Sequence, residues 1–114
     1  MNMATPNELY REHEKLKAQG SLDEALAKLH EAIQQDPNFV DAHLALAVLY
    51  GKMNRHEDAV EHGERACTLA PNDAFNFTAL SVTYQRAWQG TGNQVYITKA
   101  EDAKARAHML EMRH

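Results

Sequence analysis

The sequence predicts an all-helical protein of six helices stacked as three pairs, and three observations carry that expectation. Alanines and large apolar residues recur at a fixed interval of 34 residues, two prolines fall at the same interval, and helix-start signals keep in phase with both. Ala25 recurs as Ala59, Ala32 as Ala66, Pro37 as Pro71 and Asn38 as Asn72; the interval continues from Ala45 to Ala79, Leu46 to Leu80 and Tyr50 to Tyr84, and runs back from Tyr50 to Leu16. A period of this length is the signature of a supersecondary unit repeated along the chain.

Each element follows in order. The first helix, about 6 to 18, opens on Thr5-Pro6 with Glu8, an N-cap, a first-turn proline and a capping-box acid. The second, about 22 to 35, opens on Ser21 with Glu24 and carries Ala25 and Ala32 seven apart, two turns on one face, where a small side chain lets another helix axis approach. Pro37 ends it, because proline lacks the amide donor and clashes with the preceding turn. The third helix, about 39 to 52, brings Leu46 and Tyr50 to fill the space those alanines leave, as Leu16 and Leu29 do earlier. Burial of each large residue is worth roughly 1.5 to 3 kcal/mol. Asn54 with Glu57 repeats the cap spacing before the fourth helix, about 55 to 69, which holds Ala59 and Ala66 and stops at Pro71. The fifth, about 73 to 88, carries Leu80 and Tyr84, and Thr98 with Glu101 announces the sixth, about 99 to 112. A side-chain cap contributes about 1 kcal/mol.

This divides the chain into residues 1–5, expected to be disordered, and repeats at 6–39, 40–73 and 74–112 within one domain. The third repeat departs from the pattern. If Ala103 corresponds to Ala59, the interval is 44, and an inserted loop at about 88–97 absorbs the excess. Its glycines punctuate a loop, whereas Trp88, Val95, Tyr96 and Ile97 are too apolar for a purely solvated one. They either fold back over the end of the stack or form a surface for a partner or for self-association. Gly90-Thr91-Gly92 lacks the lysine and the preceding strand of a phosphate loop.

Composition narrows the function classes. With 114 residues the chain is one domain, and its 44% hydrophobic and 25% charged residues are those of an ordinary globular protein. The net charge of -4 is spread over mixed-sign segments, so neither nucleic acid nor an anionic membrane is an expected partner. The longest apolar run, Ala42 to Tyr50, is interrupted by His43 and is too short to span a bilayer. Without a basic-then-apolar amino terminus, and with Cys67 as the one cysteine, a cytoplasmic protein without disulfides is expected.

The residues carrying the period resemble the tetratricopeptide repeat family: Ala47 and Ser81 at the small eighth position, Ala25, Ala32, Ala59 and Ala66 further on, and Pro37 and Pro71 near the repeat ends. His13 stands at the eighth position of the first repeat and suggests looser packing there; Leu9, His43 and Phe77 stand where an aromatic is usual. The resemblance implies a right-handed α-solenoid whose first helices line a concave, partner-binding surface. Carried over position by position, that groove is Asn7, Tyr10, Glu14 and Lys17, then Asp41, Leu44, Val48, Gly51 and Lys52, then Phe75, Thr78, Val82, Gln85 and Arg86. An apolar stripe with a polar rim suits a peptide or an amphipathic helix. One branch of the family grips carboxylate tails of heat-shock chaperones with lysines, asparagines and an arginine. Tyr10, Glu14, Ala45, Phe75 and Ala79 stand at those positions, and none matches.

No catalytic motif is visible, and no cofactor is expected. Seven histidines raise metal binding, but their spacing opposes it: His56 and His62, six apart, point to different faces of one helix, and the methionines of the tail, from His108 to His114, are at core-like spacing. No metal site is expected. The leading expectation is therefore an interaction module that binds a peptide or helix of a protein partner. The alternative is a structural scaffold that self-assembles into homo-oligomers through the last helix or the 88–97 segment.

Overall fold

Helix α1 (Pro6–Ala18) begins where the sequence says it must. The Thr5 side chain accepts from the Glu8 amide at 3.2 Å while Glu8 accepts from the Thr5 amide at 3.1 Å, a closed capping box. The computed structural model describes residues 3–113 and continues with α2 (Leu22–Gln35), α3 (Val40–Lys52), α4 (His56–Leu69), α5 (Ala74–Thr91) and α6 (Val95–Glu111). Among the described residues there is no strand, and consecutive helices pack as three helix-turn-helix pairs. Of the five residues expected to be disordered, Ala4 packs on the core and its carbonyl accepts from Gln35 Nε2 at 2.9 Å, and Thr5 is the cap. Those two are tied down; residues 1 and 2 lie outside the described residues.

Ala25, Ala32, Ala59 and Ala66 are all buried, which is what close helix crossings require. One core gathers Leu9, Leu29, Leu46, Leu49 and Tyr50 around Ala25, Ala32 and Ala59; a second gathers Leu80, Tyr84, Ala87 and Ala103 around Val60 and Cys67. The overall extents are 47 × 34 × 20 Å and the radius of gyration is 14.5 Å, above the ~13 Å of a compact chain of this size and in keeping with a short stack.

The other three capping boxes do not form. Ser21 makes no cap hydrogen bond, and the N-caps of α4 and α6 are Arg55 and Gln94. Asn54 serves the turn instead: its φ is 60°, and Gly20, 34 residues earlier, has φ 81°. The turn within a pair thus needs a left-handed residue, which glycine supplies freely and asparagine tolerates. Asp73 is a working cap that the spacing did not flag, its side chain accepting from the Phe75 amide at 3.0 Å.

The inserted loop is the main correction. Most of 88–97 is helix: α5 runs on to Thr91, Gly92 closes it with φ 73°, and α6 starts at Val95, where the Asn93 side chain accepts from the Val95 amide at 3.1 Å. The extra residues lengthen both helices rather than the connection. Gly90 lies within this extension and is needed for its packing, since the imidazole of His56 lies against it and a Cβ there would come within 2.2 Å of His56 Nε2. At His13 the packing is not loose, for the imidazole is 2% exposed and sits edge-on to Tyr10 at 4.5 Å.

Candidate functional site

Residues three, four and seven apart share one helical face, so Tyr10, Glu14 and Lys17 of α1, Asp41, Leu44 and Val48 of α3, and Phe75, Thr78, Val82 and Arg86 of α5 form three parallel stripes. All ten line a single open cavity of about 630 Å³. Its floor is His13, Ala47, Gly63, Leu80 and Thr83. Gly63 matters there, because a Cβ at that point would stand 3.1 Å from Leu80 Cδ1, so the absence of a side chain lets α4 close up beneath the groove. The walls are apolar at the centre: Phe75 is 67% and Val82 40% exposed, while Leu44 and Val48 are half-buried.

Charges stand at the margins. Glu14 and Asp41 lie near the Tyr10 hydroxyl and, after burial, hold its ionisation above the ordinary value. Lys17 and Arg86 also line the cavity, and Arg86 lies alongside Gly51, its Cδ 3.9 Å from where a Cβ would be. His13 lies beneath, its Nδ1–H donating to the Tyr10 carbonyl; burial pushes its pKa down, so the floor is neutral. The five positions matched to the carboxylate clamp, Tyr10, Glu14, Ala45, Phe75 and Ala79, line the same cavity without one cation among them.

Lys52 and Gln85 do not join the cavity. Lys52 is exposed at the end of α3, and Gln85 turns toward a separate notch of about 190 Å³ with Trp88, Gln89 and Ile97. Two fates divide the apolar residues of 88–97. Tyr96 stacks on Tyr84 at 6.1 Å and covers the second core, while Trp88, Val95 and Ile97 remain exposed.

The periodicity did not announce a ring cluster behind the groove helices. His30 of α2, His43 and Tyr50 of α3, and His62 of α4 meet in one stack. Their sequence separations match no short ligand spacing, since the contacts run between helices; only the 20-residue pairing of His30 with Tyr50, repeated by Glu64 with Tyr84, is periodic. Among the described residues no group of three or more His, Cys, Asp or Glu side chains is placed to hold a metal ion. No helix among them is long and apolar enough to cross a membrane.

Residues 14–54 match a family model described as TPR repeat. Among solved structures, MamA is 19% identical with a TM-score of 0.80, over 96% of this chain and 60% of its own. TTC0263, a thermophilic TPR protein in Thermus thermophilus, is 21% identical with a TM-score of 0.80, over 96% and 59%. This chain thus spans about three fifths of the length of both. The first TPR of Spaghetti (RPAP3), bound to an HSP90 peptide SRMEEVD, is 15% identical with a TM-score of 0.65, over 92% and 91%. No curated protein matches at a significant level.

Proposed function

Taking the chain as a tetratricopeptide-type α-solenoid, we propose that it binds an apolar segment of a partner polypeptide across the cavity formed by α1, α3 and α5. One observation carries this reading: Phe75 and Val82 stay exposed beside Leu44 and Val48 on a concave surface, where water contact with large apolar side chains is a cost that a bound apolar segment removes. The charges at the margins, Glu14 and Asp41 with Lys17 and Arg86, are of both signs and suit a partner whose flanks are likewise mixed.

The HSP90 peptide SRMEEVD held by the RPAP3 domain has three acidic residues among its last four. Glu14 at a matched clamp position repels such a tail, and Ala45 and Ala79 offer it no side-chain hydrogen bond, so a chaperone tail is not the expected ligand here. Peptide display on the whole chain tests the groove directly. The selected peptides should lose at least about tenfold in affinity, some 1.4 kcal/mol, on the double substitution Leu44→Asp and Phe75→Asp, with helicity unchanged. Equal binding to that variant would overturn the groove assignment.

A second reading, self-association through the α5–α6 turn, is favoured by the exposure of Trp88 and Ile97 around the notch beside Gln85 and of Val95 at the start of α6. Sedimentation over a wide concentration range decides it, since a species that stays monomeric removes it.

A further inference from the structure

The four-ring stack joins the first helix pair to the second. His62 stands in its middle, nearly parallel to Tyr50 (5.7 Å, 17°) and to His43 (5.3 Å, 25°), with His30 edge-on at 6.0 Å. The hydrogen bonds fix where the protons are. Pro37 offers a carbonyl, which only accepts, so His43 Nε2, 2.9 Å away, carries a hydrogen, and the tautomer with that single hydrogen has its lone pair on Nδ1. His62 Nδ1 lies 3.1 Å from that lone pair and donates to it. On the far side His30 Nε2 and the Tyr50 hydroxyl share a hydrogen bond of 2.7 Å.

Two facing nitrogens therefore hold one proton between them. Adding another places a cation among rings that pack as neutral groups, and charging both histidines sets N–H against N–H. The surroundings give such a cation little help. From α2 it meets His30, and from α3 His43 and Tyr50; beside α4, the Arg55 guanidinium lies 4.6 Å over the Tyr50 ring. Asp58 is an anion in reach, but it is held by Arg55 at 3.0 Å. Glu61, Glu64 and Arg65 line the opening next to His43 and His62, and Glu64 already accepts from the Tyr84 hydroxyl of α5 and pairs with Lys99 at 3.6 Å.

We propose that this stack is an acid-operated release: protonating His62 at its centre separates the second helix pair from the first and takes the groove apart with it. The link is α3, which presents His43 and Tyr50 to the stack and Leu44 and Val48, on the adjoining face, to the cavity. The consequence for a ligand rests on the groove reading; the release itself does not. Burial, and then His43 and His30, pull the His62 pKa down to about 4, against the small opposing pull of Asp58. A histidine with a lowered folded value binds protons more tightly when unfolded, so stability is lost as the pH falls from the ordinary histidine value toward about 4.

Histidine 1H–15N correlation spectra of the whole chain, recorded without any partner from neutral pH downward, test this first. His43 is expected as the Nε2–H tautomer and His62 as Nδ1–H, with His62 neutral until the native amide signals of α2, α3 and α4 are lost together. Titration of His62 at the ordinary value with those signals unchanged would overturn the proposal. The substitution His62→Phe keeps a ring on Tyr50 that takes no charge, and its acid midpoint by circular dichroism should fall by about one pH unit. An unchanged midpoint in a variant folded at neutral pH counts against it; if the variant does not fold, the spectra of the unaltered chain decide. A display-selected peptide should leave the unaltered chain, and stay on the variant, at the same acidic pH. Equal release from both would overturn the coupling to the groove without touching the groove assignment.

Discussion

Enlarging a buried alanine separates two accounts of what holds this stack together. Ala32 has 0% exposure and sits seven residues after Ala25, also 0% exposed, on the face that carries Leu29. If burial of apolar area alone governed stability, Ala32→Leu would add up to roughly 3 kcal/mol, since leucine is also a good helix former. If alanine is there because the helices touch at that point, the extra carbons have nowhere to go, and overpacking costs about 1 to 3 kcal/mol. The two accounts differ in sign. A chain of this length is held by about 10 kcal/mol, and at about 4 °C per kcal/mol the overpacked variant should melt roughly 4 to 12 °C lower. Urea unfolding followed by the helical circular dichroism signal measures the same quantity, with Ala27→Leu on the exposed side of the same helix as a control expected within about 0.5 kcal/mol of the parent. A melting temperature equal to or above the parent's for Ala32→Leu would refute the close-crossing argument, and the 34-residue alanine period would need another cause.

Other consequences are as direct. Leu29→Ala, at a position with 0% exposure, should cost about 2 to 5 kcal/mol by the same urea assay. Gly20→Ala and Gly92→Ala place a Cβ on left-handed backbone and should each cost about 1 to 2 kcal/mol, although nothing lies within 4 Å of either added carbon. Phe75→Asp should change stability by no more than about 0.5 kcal/mol, since the ring is two-thirds exposed, whatever it does to a ligand. Burial and the nearby Glu64 and Asp73 push the Cys67 thiol up to about 11, so under mildly alkaline conditions an alkylating reagent should modify it only as fast as the fold opens.

Much of the fold is legible in the sequence, and the site unevenly so. The alanines, the prolines and the 34-residue interval are packing signals, and packing is what repeats, so pairs and stacking can be read from Ala25, Ala59 and their counterparts. Cap spacing misleads because three of its four matches owe nothing to capping; Asn54 is fixed by a turn that demands positive φ. The loop expected at 88–97 fails for a similar reason. Glycine reads as punctuation along the chain, whereas Gly90 makes room for His56, a contact between helices that no local pattern reveals. Within the groove, helical spacing places Leu44, Val48, Phe75 and Val82 on one cavity, but the edge residues Lys52 and Gln85 miss it, because a residue's side of a helix is settled by rotation at its margins. The histidine stack stays hidden for the opposite reason: its rings come from three helices, and no short spacing joins them.

Ala59 belongs to the first core and its neighbour Val60 to the second, so a single helix, α4, is shared by both. Were the cores separate, α5 and α6 could peel away and leave the rest intact. Because adjacent residues of α4 serve each core, loosening either one weakens the other's foundation, and the amide hydrogens of α4 should be the slowest to exchange with solvent while those of α1 go first.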